Sequence, residues 1–148
     1  MMRTRFLPVI LSIIAFAATA CNEKLYTGSV ECSECYQDRP DSAILYVYLT
    51  FTDSIDEIPL VLYNENFEDG SVDWVDTAWV EDGNPYWVYI KVDNEYSVKA
   101  EYKFKDKTIY AVDGTRPGTK HVSDVCDDDC WVVVKNKLDL EIKEEFLK

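Results

Sequence analysis

Tyr96-Ser97-Val98-Lys99-Ala100-Glu101-Tyr102-Lys103-Phe104 is the stretch that decides the fold. Tyr96, Val98, Ala100, Tyr102 and Phe104 take every second position, and Ser97, Lys99, Glu101 and Lys103 fill the places between. A β-strand points successive side chains to opposite sides, so this order gives one apolar and one solvated face. Just before it, Asp93-Asn94 is a turn signal. Upstream of that turn, Tyr86, Val88, Ile90 and Val92 line one face of another strand, leaving Trp87, Tyr89 and Lys91 on the other. Downstream, Lys105-Asp106-Lys107 leads into Thr108-Ile109-Tyr110-Ala111-Val112, which ends at Asp113-Gly114.

The same period continues in both directions. Residues 43–51, Ala-Ile-Leu-Tyr-Val-Tyr-Leu-Thr-Phe, are β-branched and aromatic almost throughout and suit a strand buried on both faces. Ile58, Leu60 and Leu62 alternate with Pro59, Val61 and Tyr63, and Pro59 places the start of that strand at an edge. Glu68-Asp69-Gly70 is a turn before residues 72–80, and Asp82-Gly83-Asn84-Pro85 is the next turn. Towards the end, residues 121–126 and 131–134 flank a short acidic connection, and Leu138, Leu140 and Ile142 alternate with Asp139 and Glu141. The tail from Lys143 reads equally as more of that strand or as a helical turn. No segment beyond residue 30 keeps a 3.6-residue apolar period. About seven to nine short strands separated by turns predict an all-β fold, a single antiparallel β-sandwich over residues 31–148.

Composition narrows the function. The chain has 148 residues, 28 Asp plus Glu against 15 Lys plus Arg, and a net charge of -13. That charge repels phosphate backbones and argues against nucleic acid as a partner. Aromatic residues make up 14% and apolar residues 47%, enough for a real core. The single His excludes a metal site built from several histidines, and no motif calls for a cofactor.

The first 20 residues are of another kind. Arg3 and Arg5 precede an apolar run from Phe6 to Ala17, followed by Ala18-Thr19-Ala20-Cys21. A charged start, a short apolar core and a small-residue junction make a secretory leader, shorter than the roughly 20 apolar residues of a membrane span. Small residues placed directly before Cys21 resemble the lipobox of bacterial lipoproteins. The resemblance implies cleavage before Cys21, transfer of a diacylglycerol to its thiol, and residues 21–30 as a tether to membrane lipid. Asn22 is not the aspartate that retains enterobacterial lipoproteins at the inner membrane, so the analogy favours the outer membrane. Residues 96–102, 107–114 and 126–133 are similar to small lipoproteins of the Bacteroidetes type. The layout also resembles transthyretin-like and Cna-B-like sandwiches. Such domains serve as stalks, adhesin repeats and carbohydrate-binding modules, so the resemblance implies a fold and carries over no functional residue.

Beyond Cys21 stand Cys32, Cys35, Cys126 and Cys130, an even number in an exported domain, which reads as two disulfides with three connectivities. Loop entropy favours crossed pairs, at about 4.7 kcal/mol for a loop near 100 residues against about 2 for a five-residue one. Strand geometry favours Cys126–Cys130 across a tight turn, and with it Cys32–Cys35. Two sharper readings compete: zinc held by all four thiolates, and a redox pair at Cys32-Ser33-Glu34-Cys35. Export weighs against the first and the neighbouring Glu34 against the second.

Asp124, Asp127, Asp128 and Asp129 form the densest carboxylate group, a solvated loop or a calcium loop without EF-hand spacing. Ser123, His121 and Asp124 contain the letters of a catalytic triad without a nucleophile elbow, and Asp73/Asp76 or Asp53/Asp56 are carboxylate pairs of the kind glycosidases use. With so many acids, such pairs arise by chance, and the chain reads as no enzyme. The excess of four Trp and ten Tyr is more informative. If the face of Val88 and Ile90 is the core, Trp87 and Tyr89 point outward and are ligand-binding candidates for a glycan or an envelope protein. If both faces are covered, they are core. The expectation is an anchored, non-catalytic binding or adhesion module, with a structural subunit of an envelope complex as the alternative.

Overall fold

A computed structural model describes residues 32–123 and 128–147. The leader, Cys21 with its tether, and Asp124, Cys126 and Asp127 lie outside the described residues. The described chain is all-β, with nine strands: β1 (Ser42–Tyr48), β2 (Glu57–Asn64), β3 (Ser71–Trp79), β4 (Tyr86–Lys91), β5 (Tyr96–Phe104), β6 (Lys107–Thr115), β7 (Gly118–Val122), β8 (Cys130–Val134) and β9 (Lys137–Asp139). They form a four-stranded sheet in the order β3-β2-β5-β6, a three-stranded sheet in the order β4-β1-β9, and the hairpin β7-β8. All pairings are antiparallel except that of β9 with β1, which is parallel and sets Val47 beside Leu138.

One core lies between the two larger sheets. β1 contributes Ala43, Leu45 and Val47, β2 contributes Ile58, Leu60 and Leu62, and β5 contributes Tyr96, Val98, Ala100 and Tyr102. Ile90, Leu138 and Leu140 join them. These are the inward positions of the period-two pattern, so burial alone fixes the register: a one-residue slip would turn the whole set to water. Full burial of each large aliphatic side chain contributes about 1.5–3 kcal/mol.

Three tyrosine hydroxyls lock the layers together. Tyr102 Oη, at the centre, donates to Leu140 O at 2.8 Å and accepts from Thr50 N–H at 3.2 Å. Tyr96 Oη accepts from Lys91 N–H at 3.1 Å, and Tyr86 Oη on β4 donates to Asp76 on β3 at 2.8 Å. Each ring fills space between the layers while its polar end bonds a group across from its own strand.

Several strands depart from the sequence reading. β1 is covered on one side only. Leu45 and Val47 are buried whereas Ile44, Tyr46 and Tyr48 are half-exposed, because no layer of the described residues packs over the outside of the small sheet. Ser97 is buried rather than solvated: it pairs with Gly114, and its hydroxyl donates to Glu65 O at 3.0 Å. Pro59 does lie at an edge. β5 pairs with β2 only from Leu60 onward, so no ladder on that side needs an N–H from Pro59. The last strand is shorter than its alternation suggests, with β9 ending at Asp139. Beyond it, Leu140 N–H still bonds Tyr48 O, and Ile142 and Thr50 exchange two bonds through the Thr50 hydroxyl. The tail closes in a 3-10 turn at Glu144–Leu147.

The turn before β3 is built on Asn66, whose Oδ1 accepts from Glu68 N–H and Asp69 N–H, both at 2.9 Å. Gly70 leaves this turn where the carbonyl oxygens of Asn64 and Asn66 occupy the space a Cβ would take. A Cβ there would collide with both, and backbone cannot swing aside as a side-chain tip can. Gly70→Ala is therefore expected to cost about 1–3 kcal/mol, the range of local backbone strain. A urea titration showing a lowered midpoint at unchanged slope checks this. Asn84 does comparable work after β3. Its side-chain amide exchanges two bonds with the backbone of Leu49, at 2.8 and 3.1 Å, and so prolongs the small sheet by one pseudo-residue.

Candidate functional site

The cysteines come first, because the bond they form overturns the local pairing. Cys35 is joined to Cys130, 95 residues away, with their α-carbons 5.6 Å apart. The reason is the register of β7-β8. Cys130 faces Val122, so its ladder partner is not the residue four positions before it that a tight turn would have placed there. Instead Tyr36 makes two backbone bonds to Trp131, at 2.8 and 2.9 Å, which sets Cys35 beside Cys130. Loop entropy was the better guide. Cys32, in an exposed 3-10 turn, is also disulfide-bonded. With Cys35 and Cys130 joined, neither the Cys32/Cys35 redox pair nor the four-thiolate zinc site exists.

Arg39 ties the same region to the rest of the sandwich. Its guanidinium bonds Asp93 at 2.7 Å and Thr119 at 2.8 Å, and lies 5.8 Å from the ring centre of Trp131. His121 is stacked edge-on to Trp131, with centroids 5.1 Å apart. His121 is thus part of an exposed aromatic cluster, and its ring makes no hydrogen bond to Ser123 among the described residues. Asp76 is likewise committed. It accepts from Tyr86 Oη and from Thr77 N–H, which argues against a catalytic pairing with Asp73. The Tyr86 hydroxyl is held well above the usual phenol range, first by burial and then by its bond to Asp76. Asp53 and Asp56 sit on the exposed loop between β1 and β2. Asp128 and Asp129 are exposed, and no metal-ligand cluster of His, Cys, Asp or Glu occurs among the described residues.

The parity question over Trp87 and Tyr89 has a clear answer. Ile90 is buried and its neighbours Tyr86 and Val88 are half-buried, while Trp87 is 54% and Tyr89 69% exposed. Their rings meet edge to face, with centroids 5.7 Å apart and planes at 84°. Across the ladder, Tyr46 stands opposite Trp87 and Ile44 opposite Tyr89. With Tyr48 two residues further, the outside of the small sheet carries four aromatic rings and one isoleucine. Lys91 and Lys137 border them. The core reading of Trp87 and Tyr89 is thus replaced: β4 is an edge strand, and among the described residues nothing covers its odd-numbered side chains.

Beside this face the chain has an open cleft of about 440 Å³, lined by Asn64, Asp73, Tyr89, Lys91 and Asn94 among others. Tyr89 stands out in the sequence as a binding candidate and Asp73 as half of a carboxylate pair, while Asn64, Lys91 and Asn94 carry no functional signal there. The rest come together through a β-bulge. Leu62 faces Trp74 and Tyr63 faces Val72, so Asp73 has no cross-strand partner. An extra residue of this kind bends the strand and re-aims side chains. The one sequence signal is a broken period, because Val72 faces outward while Trp74, two residues on, packs against the core.

No family model, curated protein or solved structure matches the chain. Among the described residues, no helix is long and apolar enough to cross a membrane.

Proposed function

We propose that this chain is a lipid-anchored, non-catalytic binding module of the bacterial cell envelope, tethered to the outer membrane through acylated Cys21. It offers the outside of its small sheet to a glycan or an envelope protein. The observation that carries the reading is the exposed Trp87–Tyr89 pair on a face that also holds Tyr46, Tyr48 and Ile44. Large rings left in water on a sheet that could have carried charge are the ordinary mark of a contact surface. Rigid aromatic side chains also supply much contact area for little lost rotamer freedom. The resemblance of residues 18–21 to a lipobox supports the anchor.

Trp87→Ala and Tyr89→Ala are expected to shift folding stability by no more than about 0.5 kcal/mol, as exposed positions do. Each is expected to lower affinity for the bound partner by about tenfold or more, the effect of losing an aromatic anchor. Calorimetric titration beside thermal melts separates the two effects, and unchanged binding in both variants rejects the face. Fatty-acid labelling that marks the wild-type chain and spares Cys21→Ser tests the anchor.

A second reading has its own observation. The outside of the large sheet exposes Val72, Val75 and Trp79 on β3 and Tyr110 and Val112 on β6. Lys99 lies between the rings of Phe67 and Tyr110, 5.6 Å from each. A structural subunit packed against another envelope protein would use this face. Its mark would be a co-purifying partner released by Val75→Glu and retained by Trp87→Ala.

A further inference from the structure

The flank of the sandwich between edge strands β3 and β4 is closed at one end and open at the other. At the closed end Trp74 packs on Tyr86, with centroids 5.7 Å apart, and Tyr86 bonds Asp76. At the open end is the cleft, whose base is the buried Ile90 and Tyr96 and whose wall includes Tyr89. Its volume falls in the lower part of the roughly 300–1,000 Å³ range of ligand pockets. The side chains of Asn64, Asp73, Lys91 and Asn94 make no hydrogen bond or ion pair to other described residues. They are exposed or half-exposed polar groups gathered at one place, whose hydrogen bonds go to solvent and are open to exchange for those of a ligand.

Their chemistry is specific. Two amides offer donor and acceptor together, a carboxylate offers two acceptors, and an ammonium offers three donors. Neighbouring hydroxyls on a sugar ring are each donor and acceptor, and this is the set that satisfies them. The flat side of a pyranose carries C–H bonds, whose positive edges suit the negative face of an aromatic ring. Trp87 and Tyr89 stand at 84° to one another, forming a corner that holds one ring rather than a level table. A purely apolar ligand would leave Asp73 and Lys91 desolvated without partners. A polyanion would meet the field of a chain with net charge -13.

From this juxtaposition we infer that the cleft is a subsite for one neutral pyranose unit of an oligosaccharide. Asn64, Asp73, Asn94 and Lys91 bind its hydroxyls, Tyr89 stacks on its face, and the rest of the glycan runs across Trp87. The inference rests on the reading of the Trp87–Tyr89 face as a binding surface, and names the ligand class that face takes.

The test is calorimetric titration of the full chain in detergent with neutral hexasaccharides (of glucose, mannose, xylose and N-acetylglucosamine) and with polygalacturonate as the anionic control. At least one neutral sugar is expected to bind, with affinity about tenfold lower in Asn64→Ala/Asn94→Ala, the effect of losing two or so hydrogen bonds. Thermal melts on the same samples confirm folding, and in a labelled sample the Asn64 and Asn94 side-chain amide signals should move with the sugar. Binding that is lost in Trp87→Ala yet unaffected in the double variant overturns the cleft and leaves the face standing. Binding of polygalacturonate alone, or of no sugar, also overturns the cleft. In the latter case the face is judged by whether Trp87→Ala abolishes cross-linking to an envelope protein in cells.

Discussion

Full reduction of the disulfides is expected to lower the unfolding free energy by at least about 4 kcal/mol. The Cys35–Cys130 bond closes a loop of 95 residues, and the chain-entropy model assigns about 4.7 kcal/mol to a loop of that size. The loss falls on a defined place. Without the bond, the N-terminal segment is held to β8 by the Tyr36–Trp131 backbone pair and by Arg39, whose bridge to Asp93 is solvent-exposed and weak. Urea titration with and without a phosphine reductant measures the stability, and amide exchange should show protection lost first at Tyr36 and Trp131. A tryptic digest without reductant should also yield the peptide containing Cys35 covalently joined to the one containing Cys130. Two separate peptides, each with an internal bond, would reinstate the local pairing and remove the basis of this prediction.

Tyr102→Phe is the second large effect, at about 2 kcal/mol. The ring stays, so no cavity opens. What disappears is the hydroxyl between Thr50 N–H and Leu140 O, and an unmatched buried backbone group costs about 1–3 kcal/mol. The same residue gives the protein a characteristic alkaline limit. Burial, with a smaller contribution from the nearby carboxylates of Glu141 and Asp139, pushes the Tyr102 phenol up to about 12, against 10 in the unfolded chain. The folded state therefore favours the neutral phenol. Its stabilisation is fully present below pH 10 and is lost as the pH rises through 12. Denaturation midpoints measured from pH 8 to 11.5 should fall steeply above pH 10 in the wild type and less steeply in Tyr102→Phe. Tyr86, raised by burial and by Asp76, keeps part of the slope. Equal slopes would mean that Tyr102 is not the group that titrates.

How far the sequence can be read depends on what sets each feature. Period two is a one-dimensional signal. Residues 96–104 have it, and so β5 and the inward set Tyr96, Val98, Ala100 and Tyr102 follow directly from the chain. Whether the other face of a strand is wet is a property of the layer above it, which no local pattern encodes. That is why residues 43–51 read as buried on both sides, and why Trp87 and Tyr89 stay ambiguous until β4 is known to be an edge. Ser97 illustrates the converse: its burial is created by Gly114 across the ladder and by the loop carbonyl of Glu65. The Cys35–Cys130 bond is not legible from spacing, because the partner of Cys130 depends on the register of β7-β8, and spacing alone does not give register. The cleft was the least legible of all. Asn64, Asp73, Lys91 and Asn94 come from three strands and a turn, and a bulge of one residue separates Asp73 from the parity of its neighbours.

The parallel pairing of β9 with β1 has a consequence for how the molecule is made. Among the nine strands, the middle one of the small sheet is made first, and the strip that covers its far side is made last. Until residues 137–140 have been synthesised, Leu45 and Val47 lack a neighbour on that side and the sandwich cannot close. Pairings so distant along the chain belong to the slow class of folding reactions, milliseconds to seconds.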